Sequence, residues 1–195
     1  MLKQLFASVN AKTILLRAPD PNFYYFSKLP VGHFIGNVLL LRAGKKPLLL
    51  TTRFYSVRAS CARGLAVRRV EDSGHLKKIL RKELKGKRVG VNYCAVTKKS
   101  FSDLRRHFGR KHFFDVSEQL GQLRCVKSGK ELRKIRKAVE VTERVLHRIP
   151  RIFRTGMTER ELALEIEFLF REKADNTVAF PVIVASGKNA AVPHH

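Results

Sequence analysis

Ala179-Phe180-Pro181-Val182-Ile183-Val184-Ala185-Ser186-Gly187-Lys188-Asn189-Ala190-Ala191-Val192-Pro193-His194 is the stretch on which the reading of this sequence turns. Val178 to Ala185 is a short, β-branched apolar run bounded by a Ser186-Gly187 turn signal, the pattern of a buried strand. A strand needs partners for its backbone N–H and C=O groups and cover for its faces. Between residue 122 and this run the sequence offers only two helices. Ser128-Gly129-Lys130-Glu131 is a capping box: the Ser oxygen accepts a backbone N–H and the Glu reaches back to the cap. The helix that follows carries Leu132, Ile135, Val139, Thr142, Leu146 and Ile149 on one face and is expected to end at Pro150. Thr158-Glu159-Arg160-Glu161 is a second capping box, opening a helix with Leu162, Ile166 and Leu169 inward. Helix, helix and one strand cannot close a sheet. The expectation is a truncated domain, with its remainder cut off or supplied by another chain.

Working outward from residue 122 towards the N-terminus, the pattern changes. Residues 36–42 and 47–52 read as strands around a Gly44-Lys45-Lys46 turn, a hairpin. Residues 54–63 read as helical, and residues 66–71 and 88–93 as further strands. Between those two strands, Leu76, Leu80 and Leu84 recur at four-residue spacing with Ile79 beside them, one apolar stripe on a very basic helix. Ser100 to Phe108 reads as a short helix stopped by Gly109, and residues 112–116 as a strand. Strands and helices alternating in this way indicate an α/β layer architecture. No repeat or low-complexity tract interrupts it. The expected organisation is an α/β domain over residues 1–121 and an incomplete α+β domain over residues 122–195.

The formal charge is +24, from 40 Lys and Arg against 16 Asp and Glu. Residues 1–121 hold 25 basic and 7 acidic residues, a balance of +18. A field of that sign draws nucleic acid, anionic lipid or acidic protein surfaces, without deciding the fold. The 44% apolar content is enough for a real core. Cys61, Cys94 and Cys125 are widely spaced and odd in number, so neither a disulfide framework nor a zinc ribbon is indicated. Each is expected to be a small buried apolar residue in a reducing, cytoplasmic setting. No apolar run reaches the length of a membrane span. Residues 1–16 are interrupted by Lys3, Gln4, Asn10 and Lys12, which makes a poor secretory signal.

Three segments carry a resemblance. Arg124 to Ala138, Gly156-Met157-Thr158-Glu159-Arg160-Glu161-Leu162-Ala163, and Ser186 to His194 occur in the order and spacing of the opening of the catalytic domain in the Xaa-Pro aminopeptidase and prolidase family, the pita-bread metallopeptidases. Asn22 to Leu29, the hairpin of residues 36–52 and Asp115-Val116-Ser117 resemble, more loosely, the creatinase-type N-terminal domain of the same family. The resemblance implies an α/β N-terminal domain followed by the start of a pita-bread domain. It implies hydrolysis of the peptide bond before proline by two divalent metal ions (Mn, Co or Zn), held by two Asp, one His and two Glu. Paired carboxylates that hold two cations close together lower the pKa of a bridging water and give hydroxide at neutral pH. No such cluster stands in this sequence, and Asp175 is an isolated loop acid. No metal ligand is therefore assigned, and the chain alone is expected to be inactive. The resemblance places His194 at the substrate-pocket histidine, a catalytic and substrate-binding residue that donates a hydrogen bond or proton rather than binding metal. It also implies a proline-containing peptide substrate and a homodimer, or a complementing C-terminal chain.

Other features take plainer readings. His195 reads as solvated. Gly187 and Asn189 lack the glycine spacing of a phosphate loop and read as a turn. Phe180 reads as core, and His33, Tyr24 and Tyr25 as packing. The basic stretches around Lys77–Arg88, Arg105–Lys111 and Lys130–Lys137 read as solvated helix faces, since stacking aromatics are not interleaved with them. Nucleic acid and membrane are not expected partners. The alternative to a peptidase is a non-catalytic, peptidase-like module that binds acidic protein or nucleic acid.

Overall fold

Thr13-Ile14-Leu15-Leu16-Arg17 forms strand β1, and its alternation organises the first unit. The computed structural model describes residues 2–30, 36–60, 62–109, 112–173 and 178–195. His33, Cys61, Arg110, Lys111 and Asp175 lie outside the described residues. The chain divides into two units, Met1–Val126 and Lys127–His195. A helix, Ser117–Cys125, lies at the end of the first unit.

In the first unit the described strands are β1, β2 (Val38–Arg42), β3 (Leu48–Thr52), β4 (Ala66–Val70), β5 (Val89–Val91) and β6 (Phe113–Asp115), in the sheet order β4-β3-β2-β1-β5-β6. The β2–β3 hairpin and the β1–β2 pair are antiparallel, while β3–β4, β1–β5 and β5–β6 are parallel. Side chains of a strand alternate between the two faces of its sheet. Ile14, Leu16, Leu39, Leu41 and Leu49 accordingly join one core. Leu15, Val38, Leu40, Leu48 and Leu50 join the other. The leucine runs are buried on both faces, and each such side chain contributes about 1.5–3 kcal/mol.

Two faces need two layers of helices. The first core is closed by α1 (Leu2–Ser8), α2 (Pro21–Ser27), α3 (Arg53–Ser60) and α6 (Ser117–Cys125), through Leu5, Phe23, Phe26, Ala59 and Leu120. The second is closed by α4 (Ser73–Leu84), through Ile79, Leu80 and Leu84, and by α5 (Lys98–Phe108), through Phe101, Leu104 and Phe108. One polar knot ties the start of α2 to the end of β5. Asp20 caps α2, accepting from the Asn22 backbone N–H at 2.8 Å and from Asn22 Nδ2 at 3.0 Å. Asn92, just past β5, donates Nδ2 to both Asp20 oxygens at 3.2 and 3.1 Å. Burial pushes the Asp20 carboxyl above its ordinary value, against the pull of the Asn22 and Asn92 hydrogen bonds and of Arg124. Cys94 and Cys125 are exposed, not buried: Cys94 sits in the turn after β5 and Cys125 ends α6.

In the second unit α7 (Gly129–Leu146) and α9 (Glu159–Lys173) flank a short α8 (Ile149–Ile152). Pro150 does not terminate the long helix, which has already ended. It stands in the first turn of α8, where a missing N–H costs nothing. Val145, Ile166 and Leu169 form a small core, with Val182 and Val184 packed against it. Val178–Ala185 keeps the alternation of a strand, Val182 and Val184 inward and Ile183 outward, but no ladder pairs with it among the described residues. Phe180, expected in a core, is 71% exposed for the same reason: nothing covers that side. No helix of the described residues is long and apolar enough to cross a membrane.

Gly90 offers a test of how tightly the first core closes. A Cβ placed there would lie 2.8 and 3.0 Å from the Val116 methyls and 3.1 Å from Ile14 Cγ1. Gly90→Ala is predicted to destabilise this unit by about 1–3 kcal/mol through overpacking. Gly121→Ala, inside α6 and facing open space, is predicted to stabilise it by about 0.5–1 kcal/mol. All four tyrosines (Tyr24, Tyr25, Tyr55 and Tyr93) lie in this unit and the chain has no Trp, so tyrosine fluorescence in urea follows it alone. A Gly90→Ala midpoint at or above the parent's would refute the packing argument.

Candidate functional site

The loop that carries His194 is tied to the first turn of α9. Thr158 caps that helix: its backbone N–H and hydroxyl both donate to Glu161 at 2.8 Å, and its oxygen accepts from the Glu161 N–H at 3.2 Å. With Glu161 committed to the cap, Glu159 is free to turn towards the loop. Its carboxylate accepts the Ser186 backbone N–H at 2.5 Å, the Ser186 hydroxyl at 2.9 Å and Asn189 Nδ2 at 2.9 Å. His195 Nε2 stands 3.8 Å from the same carboxylate. Between these anchors Gly187 takes φ +51° and residues Gly187–Ala191 wind into a 3-10 turn, as the turn reading of Gly187 and Asn189 requires. The Asn189 hydrogen bond, then those of Ser186, hold the Glu159 carboxyl below its ordinary value, with His195 adding to the pull.

His194 itself is exposed and makes no hydrogen bond or ion pair among the described residues. It adopts φ +59°, a left-handed conformation uncommon for a non-glycine residue. The structure thus brings Glu159, Ser186, Asn189 and His195 together and presents His194 beside them. His195, expected to be merely solvated, faces Glu159. Glu159 is given no role of its own by the reading of the sequence, which names it only within the Thr158–Glu161 capping box. Its signal was legible, because a capping box of the form Thr-x-x-Glu occupies the first and fourth residues and leaves the second carboxylate without a local donor.

In the same unit α7, α9 and residues 178–183 line an apolar cleft of about 660 Å³. Lys134, Val141, Ile166, Phe170, Phe180 and Ile183 are among the residues that line it. The stripe expected to be the inward face of α7 is uncovered, with Ile135 48% and Val139 50% exposed.

A pair of divalent cations does not fit the described residues. Among the described residues no three His, Cys, Asp or Glu side chains converge. Five acids of the second unit are engaged elsewhere: Glu131 with Ser128, Glu140 with Arg144, Glu161 with Thr158, Glu167 with Arg171 and Glu172 with Arg148.

Comparison with known proteins follows the same division of the chain. The family model of the Creatinase/Prolidase N-terminal domain matches residues 2–126, and that of Metallopeptidase family M24 matches residues 133–195. An uncharacterized peptidase of Staphylococcus saprophyticus is 26% identical over 189 residues, covering 96% of this chain and 53% of the relative. The Xaa-Pro dipeptidase of Pyrococcus horikoshii is 25% identical over 189 residues, covering 97% and 52%. The crystal structure of an X-Pro aminopeptidase from Thermotoga maritima superposes with a TM-score of 0.80 at 29% identity, over 98% of this chain and 55% of that one. The chain spans about half the length of the curated relatives it matches.

The Glu159 tether has a pH signature. A carboxyl whose pKa is lowered by folding stabilises the loop above its ordinary value of 4.5, and that contribution is lost as the pH falls through the lower folded value. The Ser186 amide and Asn189 side-chain resonances are predicted to titrate together with a midpoint below 4.5, and to stop titrating in Glu159→Gln. A midpoint at or above 4.5, or a titration that survives in Glu159→Gln, would show that the tether is absent in solution.

Proposed function

We propose a function for this chain from one premise: it belongs to the creatinase/prolidase N-terminal domain family. On that premise residues 1–121 are the N-terminal domain, and residues 122–195 the opening part of the catalytic domain, of a pita-bread metallopeptidase that hydrolyses the bond before proline. One observation carries the reading. In the unit matched to the metallopeptidase family, among the described residues, the extended Val178–Ala185 has no ladder and the α7 stripe has no cover. A sheet contributed by further residues, or by a complementing chain, would supply both. A homodimer is the assembly expected for the complete enzyme.

In this reading two divalent cations (Mn, Co or Zn) supply an activated water when bound, and residues other than those described here hold them. This chain's own contribution is the loop. Glu159 fixes Ser186 and Asn189, which sets the course of the backbone towards His194. His194, free of other partners, donates a hydrogen bond or proton to the substrate at the cleaved amide. The 195 residues alone are inactive. The exposed thiols of Cys94 and Cys125 suit a reducing cytoplasm.

The test joins these residues to the metal-binding part of the enzyme and follows Xaa-Pro dipeptide cleavage with Mn or Co. His194→Ala is predicted to lower kcat/KM by about 10²–10⁴-fold, with bound metal unchanged. The 195-residue chain is predicted to show no cleavage. Loss of metal on substitution would make His194 a ligand, and cleavage by the short chain would overturn the division of labour.

A further inference from the structure

We propose that the groove between α4 and α5 is a docking site for an acidic, amphipathic helix of a partner protein. Two cavities, of about 460 and 330 Å³, lie along these helices and share His107 and Phe108, so they adjoin as a groove. Its floor is apolar and half-buried: Leu76 from α4, and Leu104 and Phe108 from α5, rest on the core beneath. Its rim is basic. Lys77 and Arg81, four residues apart on one side of α4, and Lys85 just past its end line one side, and Arg106 stands on the α5 side.

The rim cations are poorly neutralised. Arg106 faces Asp103 at 3.8 Å, whereas Lys77, Arg81 and Lys85 have no acidic partner among the described residues. Like charges at four-residue spacing repel and cost helix stability. Residues 1–121, with 25 basic against 7 acidic side chains, offer little to relieve that repulsion. A ligand must therefore bring carboxylates to the rim and apolar side chains to the floor. That is the chemistry of an amphipathic helix lying in a groove. Single-stranded nucleic acid meets the rim but not the floor, because it needs free ring faces for its bases. Phe108 and Phe113 are engaged edge-to-face with each other at 6.4 Å and 77°, and Phe113 is buried.

The experiment measures fluorescence anisotropy with the full 195-residue chain. The probe is a labelled Leu/Glu peptide of about four helical turns, with Leu at i, i+3, i+4 and i+7. A peptide of the same composition with scrambled spacing and an oligouridylate of matched charge serve as competitors. The ordered peptide is expected to bind, and to bind tighter than either competitor. Combined Lys77→Glu, Arg81→Glu and Lys85→Glu is expected to weaken it by about tenfold or more, and the matching Gln substitutions by less. Lys45→Glu with Lys46→Glu, in the β2–β3 turn, is expected to leave it unchanged. Tyrosine fluorescence in urea confirms that each variant is folded. Equal binding of the scrambled peptide, tighter binding of oligouridylate, equal weakening by the Lys45/Lys46 variant, or no effect of the folded Gln variant would each overturn the proposal.

Discussion

Pairing of backbone N–H and C=O groups governs everything that is complete in this chain and everything that is not. An extended apolar segment cannot stay buried unless its polar backbone is satisfied by neighbours. In the first unit β1 meets that demand on both edges, with β2 antiparallel on one side and β5 parallel on the other. Its side chains can then go fully to the interior, which calls for helices over both faces. In the second unit Val178–Ala185 has the composition of such a strand and, among the described residues, no ladder. Val182 and Val184 find a core, Ile183 and Phe180 do not, and the apolar stripe of α7 stays open with them.

How much of this the sequence disclosed depends on whether an element announces itself locally. The hairpin, the leucine stripe of α4 and the two capping boxes are local patterns, and the structure has them where they were read. β1 was missed because a strand buried on both faces shows no polar alternation, only a short apolar run next to a basic N-terminus. α2 was missed although Asp20-Pro21 is a sound start signal, since seven residues give too short a window for a periodic pattern. Pro150 misled as a stop because the same residue also starts a helix. The exposure of Phe180, Cys94 and Cys125 was out of reach, because composition reports what a side chain prefers and not what surrounds it.

Charge and packing meet on α4. Its inward residues Ile79, Leu80 and Leu84 close the second core, and its other side carries Lys77, Lys78, Arg81 and Lys82 against the single acid Glu83. Burial on one side therefore holds a row of like charges together on the other. The repulsion falls with salt while the burial does not, so the cost of the arrangement belongs to conditions of low ionic strength. Glu83, which faces both Arg42 at 3.5 Å and Arg68 at 3.9 Å, relieves the edge of the helix nearest the sheet. Arg81 and Lys85, on the groove side, receive no such relief among the described residues.

The His194 loop is held by a different economy of charge. Glu159 lies in the first turn of α9, where unpaired helix N–H groups favour a negative charge. The same carboxylate collects two donors from Ser186 and one from Asn189. A neutral acceptor could replace the geometry of one of these bonds but would gain less from each donor and nothing from the helix terminus. The loop is therefore shaped by a single ionised group rather than by a packed core, which the second unit lacks on that side. That also explains why His194 needs no partner of its own within these residues. Its backbone is fixed from Ser186 and Asn189 onward, and its imidazole is left to whatever completes the cleft.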